Sequence, residues 1–381
     1  MLRKIVIILF LLNGTHQLVL GQNKLSDLFE QKYQVSLIMP FCSRQILDDP
    51  KAKNAAIGNA CRQYYEGFSI AMDSFKQADI PIEVRVYDTK RDSNAFMKIL
   101  AKKEVLNSDL IIGPVLKEGN DRMVDFCNKN NKYHVSPFLT LTKSKIDNPF
   151  LISAYPDLSY YGDFILENIK NKGDDNANVM VVVGKESNDK VLANRILALK
   201  SKYPNYTIKS VDISKYTELK DQYKLTKPNH IVIASENEFL VGTTLKYLND
   251  SNQFINIQVY GTRKWLEFNT LSIGLCEQVK VKIISPYYFD YKNPNCTFFV
   301  EKYRERYYAD PQEYAVIGYE QGVYFLSILM KEHGSLSTIT KQDLNRPLTN
   351  DYLFKNKPDG KSIQNSKLNI LYFENGELKR E

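Results

Sequence analysis

The chain alternates short runs of apolar, β-branched residues with longer stretches whose apolar residues recur at helical spacing. Val35–Pro40, Ile82–Tyr87 and Val179–Val183 are such runs, and Cys61–Lys76 shows the helical spacing. Strands that are apolar along their whole length are covered on both faces, which is typical of parallel sheets between helix layers. The alternation therefore predicts an α/β fold made of doubly wound parallel sheets.

The same alternation occurs twice along the chain, which predicts two α/β units of similar size. The first spans Val35 to Pro137 and the second Leu158 to Pro286. A chain of 381 residues has room for both, at roughly 100–200 residues per domain. The segment after Tyr287 is too small to stand alone, so we expect its helices and strands to complete both units. Within it, Asn375-Gly376 predicts a hairpin turn.

The first residues have the pattern of an export signal. Arg3 and Lys4 precede the apolar run Ile5–Leu12, and the small residues Val19 and Gly21 follow at the spacing of a cleavage site. The apolar run is shorter than the about 20 residues of a membrane span. We therefore predict a signal peptide over residues 1–21 and a periplasmic mature protein, with a retained anchor as the alternative.

The charge distribution argues against nucleic acid as a partner. The formal net charge is +7, and removal of Arg3 and Lys4 leaves 7 − 2 = +5. Positive and negative side chains are interspersed, without the basic blocks that follow a phosphate backbone. Export from the cytoplasm points the same way.

Cysteines in an oxidising compartment tend to form disulfides. Short sequence separations favour the pairs Cys42–Cys61 and Cys276–Cys296, which leaves Cys127 as a buried free thiol. The alternative is that all five cysteines are reduced core residues. The sequence contains no C-x-x-C motif, so it gives no support to a zinc site or to thioredoxin-like chemistry.

The sequence lacks the common enzyme motifs. It contains no G-x-S-x-G elbow, no Walker loop, no G-x-G-x-x-G and no H-E-x-x-H. His134 and His230 lie in predicted strands, a position typical of structural histidines. Nothing in the sequence therefore argues for an enzyme, a cofactor or a metal.

Several short motifs occur in a fixed order along the chain. They are Val35–Pro40, Tyr65-Glu66-Gly67, Val86–Thr89, Asp109–Pro114, Val135-Ser136-Pro137, Val259–Thr262 and Ile317–Gly322. In this order they resemble the type I periplasmic-binding family, most closely its branched-chain amino-acid receptors and the related domains often found in Bacteroidetes.

The resemblance implies two lobes joined by three chain crossovers. Lobe one would comprise residues 33–153 and 288–335, and lobe two residues 154–287 and 336–381. The lobes of this family close around a solute in the cleft between them. The implied function is capture of a small polar, amino-acid-like ligand for an ABC-type membrane transporter. The alternative is an envelope protein that uses a degenerate form of the fold to regulate a partner, for example in peptidoglycan synthesis.

Ligands of open parallel sheets bind beyond the carboxyl ends of the strands, and the candidate residues are taken from there. In the family, loops after the Gly-Pro and Ser-Pro turns hold the ammonium and carboxylate of the ligand with small hydroxyl residues. Here these loops offer hydroxyls only at Ser136, Thr140 and Thr142. This departure argues against an α-amino acid. The full candidate set is Asp88, Lys117, Ser136, Phe138, Thr140, Thr142, Tyr155, Tyr160, Lys185, Glu236 and Arg263.

Some of these candidates have structural alternatives. Arg263 would bind a carboxylate through two parallel hydrogen bonds, or else lie on the surface without a ligand. Tyr155 and Tyr160 would stack on a ligand, or else pack near the first crossover. The segment between Cys42 and Cys61 would form a lid, a partner surface or a passive loop.

Overall fold

The computed structural model describes residues 32–115, 117–138, 148–251, 256–341, 352–356 and 360–381. The expected signal peptide, Thr140 and Thr142 lie outside the described residues. The chain forms two compact units. The first extends to Tyr155 and includes Phe289–Lys367, and the second comprises Pro156–Tyr288 and Leu368–Glu381. None of the helices in the described ranges combines the length and apolar character needed to cross a bilayer.

The first unit contains a seven-stranded sheet with helices on both sides. Its strands are β1 (Tyr33–Met39), β2 (Ile82–Asp88), β3 (Leu110–Ile112), β4 (His134–Ser136), β5 (Leu151–Ser153), β11 (Phe354–Asn356) and β12 (Ile363–Asn365). Its helices are α1 (Ser43–Asp48), α2 (Ala55–Gln77), α3 (Ser93–Leu100), α4 (Lys103–Leu106), α5 (Lys117–Asn130), α10 (Pro294–Tyr307) and α11 (Glu313–Lys331). The strand order is β11-β12-β5-β4-β3-β1-β2.

The second unit repeats this plan. Its strands are β6 (Asn178–Val183), β7 (Thr207–Asp212), β8 (Asn229–Ala234), β9 (Ile257–Thr262), β10 (Val281–Ser285), β13 (Asn369–Glu374) and β14 (Glu377–Arg380). Its helices are α6 (Leu158–Asn171), α7 (Ser187–Ala198), α8 (Glu238–Ser251) and α9 (Ile273–Gln278), with 3₁₀ segments at Leu199–Lys202, Ile213–Gln222 and Arg263–Glu267. The strand order is β14-β13-β10-β9-β8-β6-β7.

The predicted α/β class is confirmed, but the sheets are mixed at one edge. In the first sheet β11 is antiparallel to β12, and in the second β13 and β14 form an antiparallel hairpin beside β10. The hairpin turns at Asn375-Gly376 as predicted, with φ values of 55° and 77°. Positive φ at both turn positions is what the commonest two-residue hairpin requires.

The prediction that residues 336–381 belong to lobe two is wrong for most of that segment. Residues up to Lys367 lie in the first unit. The reason is that Ile363 and Gln364 of β12 pair in parallel with Ile152 and Ser153 of β5. The last passage of the chain into the second unit therefore falls after Lys367 rather than at the predicted boundary between residues 335 and 336.

Two helices of the first unit cross at a pair of glycines. A Cβ at Gly67 of α2 would lie 1.8 Å from the carbonyl oxygen of Ala315, and one at Gly318 of α11 would lie 2.0 Å from that of Tyr64. These glycines belong to two of the sequence motifs, Tyr65-Glu66-Gly67 and Ile317–Gly322. The motifs therefore reflect a helix crossing that only glycine allows, rather than ligand contacts.

The disulfide prediction is wrong in the structure, where all five cysteines are free and buried. Cys276 lies in a hydrophobic cluster of the second unit and Cys296 in one of the first, so their pairing would tie two separate cores together. Cys42 and Cys61 are neighbours in the first unit. Burial, together with the nearby Cys42 and Asp88, raises the pKa of the Cys61 thiol to about 12.

Candidate functional site

Asp88 ends strand β2, and its carboxylate is engaged by its own unit. Oδ1 accepts hydrogen bonds from the backbone N–H groups of Cys42 (3.0 Å) and Lys90 (2.8 Å), and Oδ2 accepts one from Ser43 (3.2 Å). These bonds fix the start of α1 and the turn after β2. The segment after β1 is therefore not a passive loop, because it forms α1 and the first turns of α2.

We expect Asp88→Ala to destabilise the protein by about 2 kcal/mol, because it leaves three backbone donors without their acceptor. Chemical denaturation checks this value. Asp88→Asn keeps one acceptor oxygen and is expected to lose less. A variant that loses ligand affinity at unchanged stability would instead give Asp88 a direct binding role.

Ser136 and Phe138 lie at the carboxyl end of β4. The Ser136 side chain is 0% exposed, and in the described part of the chain its hydroxyl has no hydrogen-bond partner. The Phe138 ring packs edge-on against Tyr64 and Tyr314, with ring centroids 5.3 Å and 5.0 Å away. Phe138 thus fills part of this sheet edge, whereas Ser136 keeps unused hydrogen-bonding capacity.

A polar link holds this end of β4 against the helices. The Tyr64 hydroxyl donates to Gln321 Oε1 (2.9 Å), and Gln321 Nε2 donates to the carbonyl oxygen of Pro137 (3.1 Å). Gln321 is fully buried on α11. The position of Ser136 is therefore set by both helices that cross at the two glycines.

The remaining candidates near the first crossover are not brought to one place within either unit. Lys117 is the first residue of α5, and its side chain lies outside the described part. Tyr155 is the last residue of the first unit before the crossover. Tyr160 lies on α6 and packs against the hydrophobic cluster of the second unit. Core packing accounts for its half-buried position.

The carboxyl edge of the second sheet holds a pair of neighbouring carboxylates, Asp189 and Glu236. Asp189 is 3% exposed and accepts hydrogen bonds from the backbone N–H groups of Glu186 (3.0 Å) and Glu236 (3.2 Å). Burial raises the pKa of both carboxyls, and Asp189 further raises the pKa of Glu236. Gly184 makes room, since a Cβ there would lie 2.1 Å from Asp189 Oδ2.

Sequence reasoning missed Asp189, although a local signal was present. Asp189 and Glu186 form a reciprocal cap at the start of α7, just after a strand that ends at a glycine. Lys185, a predicted site residue in this same turn, is exposed.

Arg263 follows β9 at the same sheet edge. Its guanidinium lies over the Tyr287 ring, 3.8 Å from the centroid. The preceding Thr262 is 7% exposed, and its hydroxyl has no hydrogen-bond partner among the described residues. Gly261 leaves space for the Trp265 ring beneath this turn, because a Cβ there would approach the ring to 2.5 Å. At this edge the stacked guanidinium of Arg263 therefore lies beside the Thr262 hydroxyl, which keeps unused hydrogen-bonding capacity. Thr262 is a second residue that sequence reasoning missed.

Metal binding has no geometric support in the described ranges, where no group of three or more His, Cys, Asp or Glu side chains is arranged to hold an ion. The groups at both sheet edges are instead hydroxyls, a cation and carboxylates, which bind polar organic groups through hydrogen bonds.

Two doubly wound units linked by three passages of the chain define the type I periplasmic-binding fold, as predicted. No protein-family model and no curated protein matches the sequence. Among solved structures, a candidate branched-chain amino acid ABC transporter from Rhodospirillum rubrum superposes with a TM-score of 0.70 at 15% identity, covering 92% of this chain and 100% of that one.

Two further structures share the fold. An ABC transporter substrate-binding protein from Desulfitobacterium hafniense, in complex with Leu, has a TM-score of 0.55 at 15% identity and covers 92% of this chain and 100% of that one. The C-domain of LpoA (YraM) from Haemophilus influenzae, a regulator of PBP1A, has a TM-score of 0.62 at 14% identity and covers 91% of this chain and 99% of that one. At these identities the likeness defines the fold.

Proposed function

We propose that this chain is an extracytoplasmic solute-binding protein that captures a small polar, amino-acid-like ligand for an ABC-type transporter, and that it is a binding protein rather than an enzyme. One observation carries the proposal. Each unit places a buried hydroxyl without a described partner at the carboxyl edge of its sheet, Ser136 in the first and Thr262 in the second.

Such hydroxyls are costly without a ligand. A buried polar group that lacks a hydrogen bond destabilises a protein by about 1–3 kcal/mol, and a ligand with polar ends supplies the missing partner. Arg263 lies next to Thr262, and the Tyr287 ring holds its guanidinium plane. A guanidinium fixed in this way suits a ligand carboxylate. The Leu complex of the protein from Desulfitobacterium hafniense supports a ligand of this size and chemistry.

The mature protein is first unfolded and refolded, and its binding is then measured by calorimetric titration and thermal shift. The panel comprises amino acids, short peptides, sugars, nucleosides and carboxylates. We expect one chemical class to bind, with a stabilisation of about 2.7 kcal/mol at a hundredfold excess over the dissociation constant. Refolding removes any ligand that co-purifies, which would otherwise mask binding.

Two conservative variants locate the ligand. Ser136→Ala and Thr262→Val remove one hydroxyl each, and we expect each to weaken binding by about fivefold, the value of one hydrogen bond. Ser210→Ala, an exposed position on β7, is the matched control and is expected to bind like the parent. Unchanged affinity in both Ser136→Ala and Thr262→Val would remove these residues from the site.

A second candidate function is regulation of an envelope protein. It is favoured by the filling of the first sheet edge from within the unit, where Phe138 packs between Tyr64 and Tyr314 and Asp88 is bonded to backbone groups. The LpoA C-domain shows the same fold in a regulator of PBP1A. A flat ligand panel with folded, ligand-free protein, together with binding to a purified cell-wall synthase, would favour this function.

A further inference from the structure

The first unit contains a cavity of about 200 Å³ built entirely from its own residues. It lies beyond the carboxyl ends of β1, β2 and β3, and Pro40, Thr89 and Pro114 from the segments after these strands line it. Ser136, Thr262 and Arg263 do not contribute to its described lining. The cavity is therefore separate from the groups on which the proposed function rests.

Two arginines give the cavity its charge. Arg91 and Arg122 both line it, and within the described residues neither guanidinium is paired with a carboxylate. Arg91 donates to Asn54 Oδ1 (2.9 Å), and Arg122 donates to the carbonyl oxygen of Ser93 (3.3 Å). Both acceptors are neutral, so an anion in the cavity would relieve the repulsion between the two cations.

One carboxylate also lines the cavity, and it is engaged locally. Asp92 caps helix α3, where its Oδ1 accepts a hydrogen bond from the Ala95 N–H at 2.6 Å. With two arginines and one aspartate, the side chains that line the cavity among the described residues carry a net charge of about +1. This balance favours a ligand with a single negative charge.

Thr89 supplies a hydroxyl to the same cavity. The residue is 6% exposed, and its backbone N–H is held by the carbonyl oxygen of Met39 at 2.9 Å. Its side-chain hydroxyl makes no hydrogen bond within the described part of the chain. A nearly buried hydroxyl held in position beside two guanidinium groups is a donor for a ligand oxygen.

Part of the wall is apolar and is formed by the buried ring of Phe96 together with Pro40 and Pro114. We propose that this cavity binds a small monocarboxylate with a short apolar chain. Arg91, Arg122 and Thr89 bind the carboxylate group, and the chain lies against Phe96. Inorganic phosphate has no apolar chain, so it would leave the apolar part of the wall without a contact and is expected to bind less well than such an acid. An engineered cavity of about 150 Å³ accepts a molecule the size of benzene, so a short-chain acid fits.

Calorimetric titration of the full mature chain with butyrate, isovalerate and hexanoate tests this site, with isovaleramide and inorganic phosphate as comparisons. We expect at least one acid to bind, the amide to bind at least about tenfold more weakly, and phosphate not to displace the acid. Binding by none of the acids, equal binding of acid and amide, or displacement by phosphate would each overturn the proposal.

Variants assign the binding to the cavity. Arg91→Ala and Arg122→Ala are each expected to weaken acid binding by about tenfold or more, and Thr89→Val by a smaller factor. Arg122→Lys keeps the charge but loses the planar pair of donors, so an intermediate loss is expected. Arg306→Ala, which removes a surface arginine paired with Asp73, is the control and should bind the acid like the parent. Equal effects of Arg306→Ala and Arg122→Ala would contradict a defined site.

Discussion

Replacing Gly67 or Gly318 with alanine is expected to destabilise the first unit by at least about 3 kcal/mol. The added Cβ would lie 1.8 Å from the carbonyl oxygen of Ala315 or 2.0 Å from that of Tyr64. Both obstacles are backbone atoms of the opposing helix, so no side-chain rotation makes room. Helices α2 and α11 would have to separate, and the link from Tyr64 through Gln321 to Pro137 would break.

Urea denaturation followed by circular dichroism measures this loss. Gly242→Ala is the matched control, because Gly242 lies inside helix α8 and a Cβ there meets nothing within 4 Å. Alanine is a better helix former than glycine, so the control is expected to gain about 0.5–1 kcal/mol. Losses of similar size at Gly67, Gly318 and Gly242 would show that helix crossing is not the cause.

The second large effect is a loss of stability in acid that comes from His134. This residue lies in the middle of the first sheet, is 0% exposed, and in the described structure neither ring nitrogen has a hydrogen-bond partner. Burial lowers the pKa of its imidazole from 6.5 to about 3. Between these two pH values the unfolded chain binds a proton that the folded chain does not.

The folded protein therefore has its full stability, as far as His134 is concerned, above pH 6.5. This part of the free energy of unfolding is lost as the pH falls towards 3. The free energy of unfolding should fall by about 1 kcal/mol per pH unit from this residue alone, or about 2 kcal/mol between pH 6.5 and 4.5. His134→Leu removes the titrating group and should flatten this part of the stability profile.

Denaturation midpoints measured across pH 4.5 to 7.5 test the prediction. His333→Gln is the control, because His333 is exposed near the end of α11 and the variant should keep the slope of the parent. Parallel pH profiles for His134→Leu and the parent protein would refute the assignment of the acid loss to this imidazole.

The α/β class and the doubling of the fold could be read from the sequence because both depend on local patterns. The run Val179–Val183 became part of strand β6, and the helical spacing of Cys61–Lys76 became part of helix α2. The turn at Asn375-Gly376 was likewise predictable, since positive φ is a property of these residue types.

The assignment of residues 336–367 to a unit was not predictable in the same way. It depends on the pairing of β12 with β5, two strands far apart in the chain and each only three residues long. Short strands carry little periodicity, and their partners are chosen by which sheet edge is open. The same limit applied to the cysteines, because sequence separation does not reveal that Cys276 and Cys296 lie in different units.

For the candidate site, too, the positions of residues along the strands were predictable from the sequence, whereas their hydrogen bonds were not. Strand ends placed Ser136, Glu236 and Arg263 correctly at the carboxyl edges, because a strand that ends in sequence also ends at a sheet edge. The sequence could not show that Asp88 is engaged by backbone donors, nor that Thr262 lacks a described partner. Hydrogen-bond satisfaction depends on atoms brought together from distant parts of the chain.

Local sequence patterns account for the type and order of most helices and strands, since propensity and periodicity act over neighbouring residues. Contacts between distant parts of the chain set the rest: which sheet each late strand joins, which glycines must remain glycine, and which polar side chains keep unused hydrogen-bonding capacity. Arg91 and Arg122 illustrate the difference, because folding alone brings these two unremarkable surface residues to the wall of one cavity.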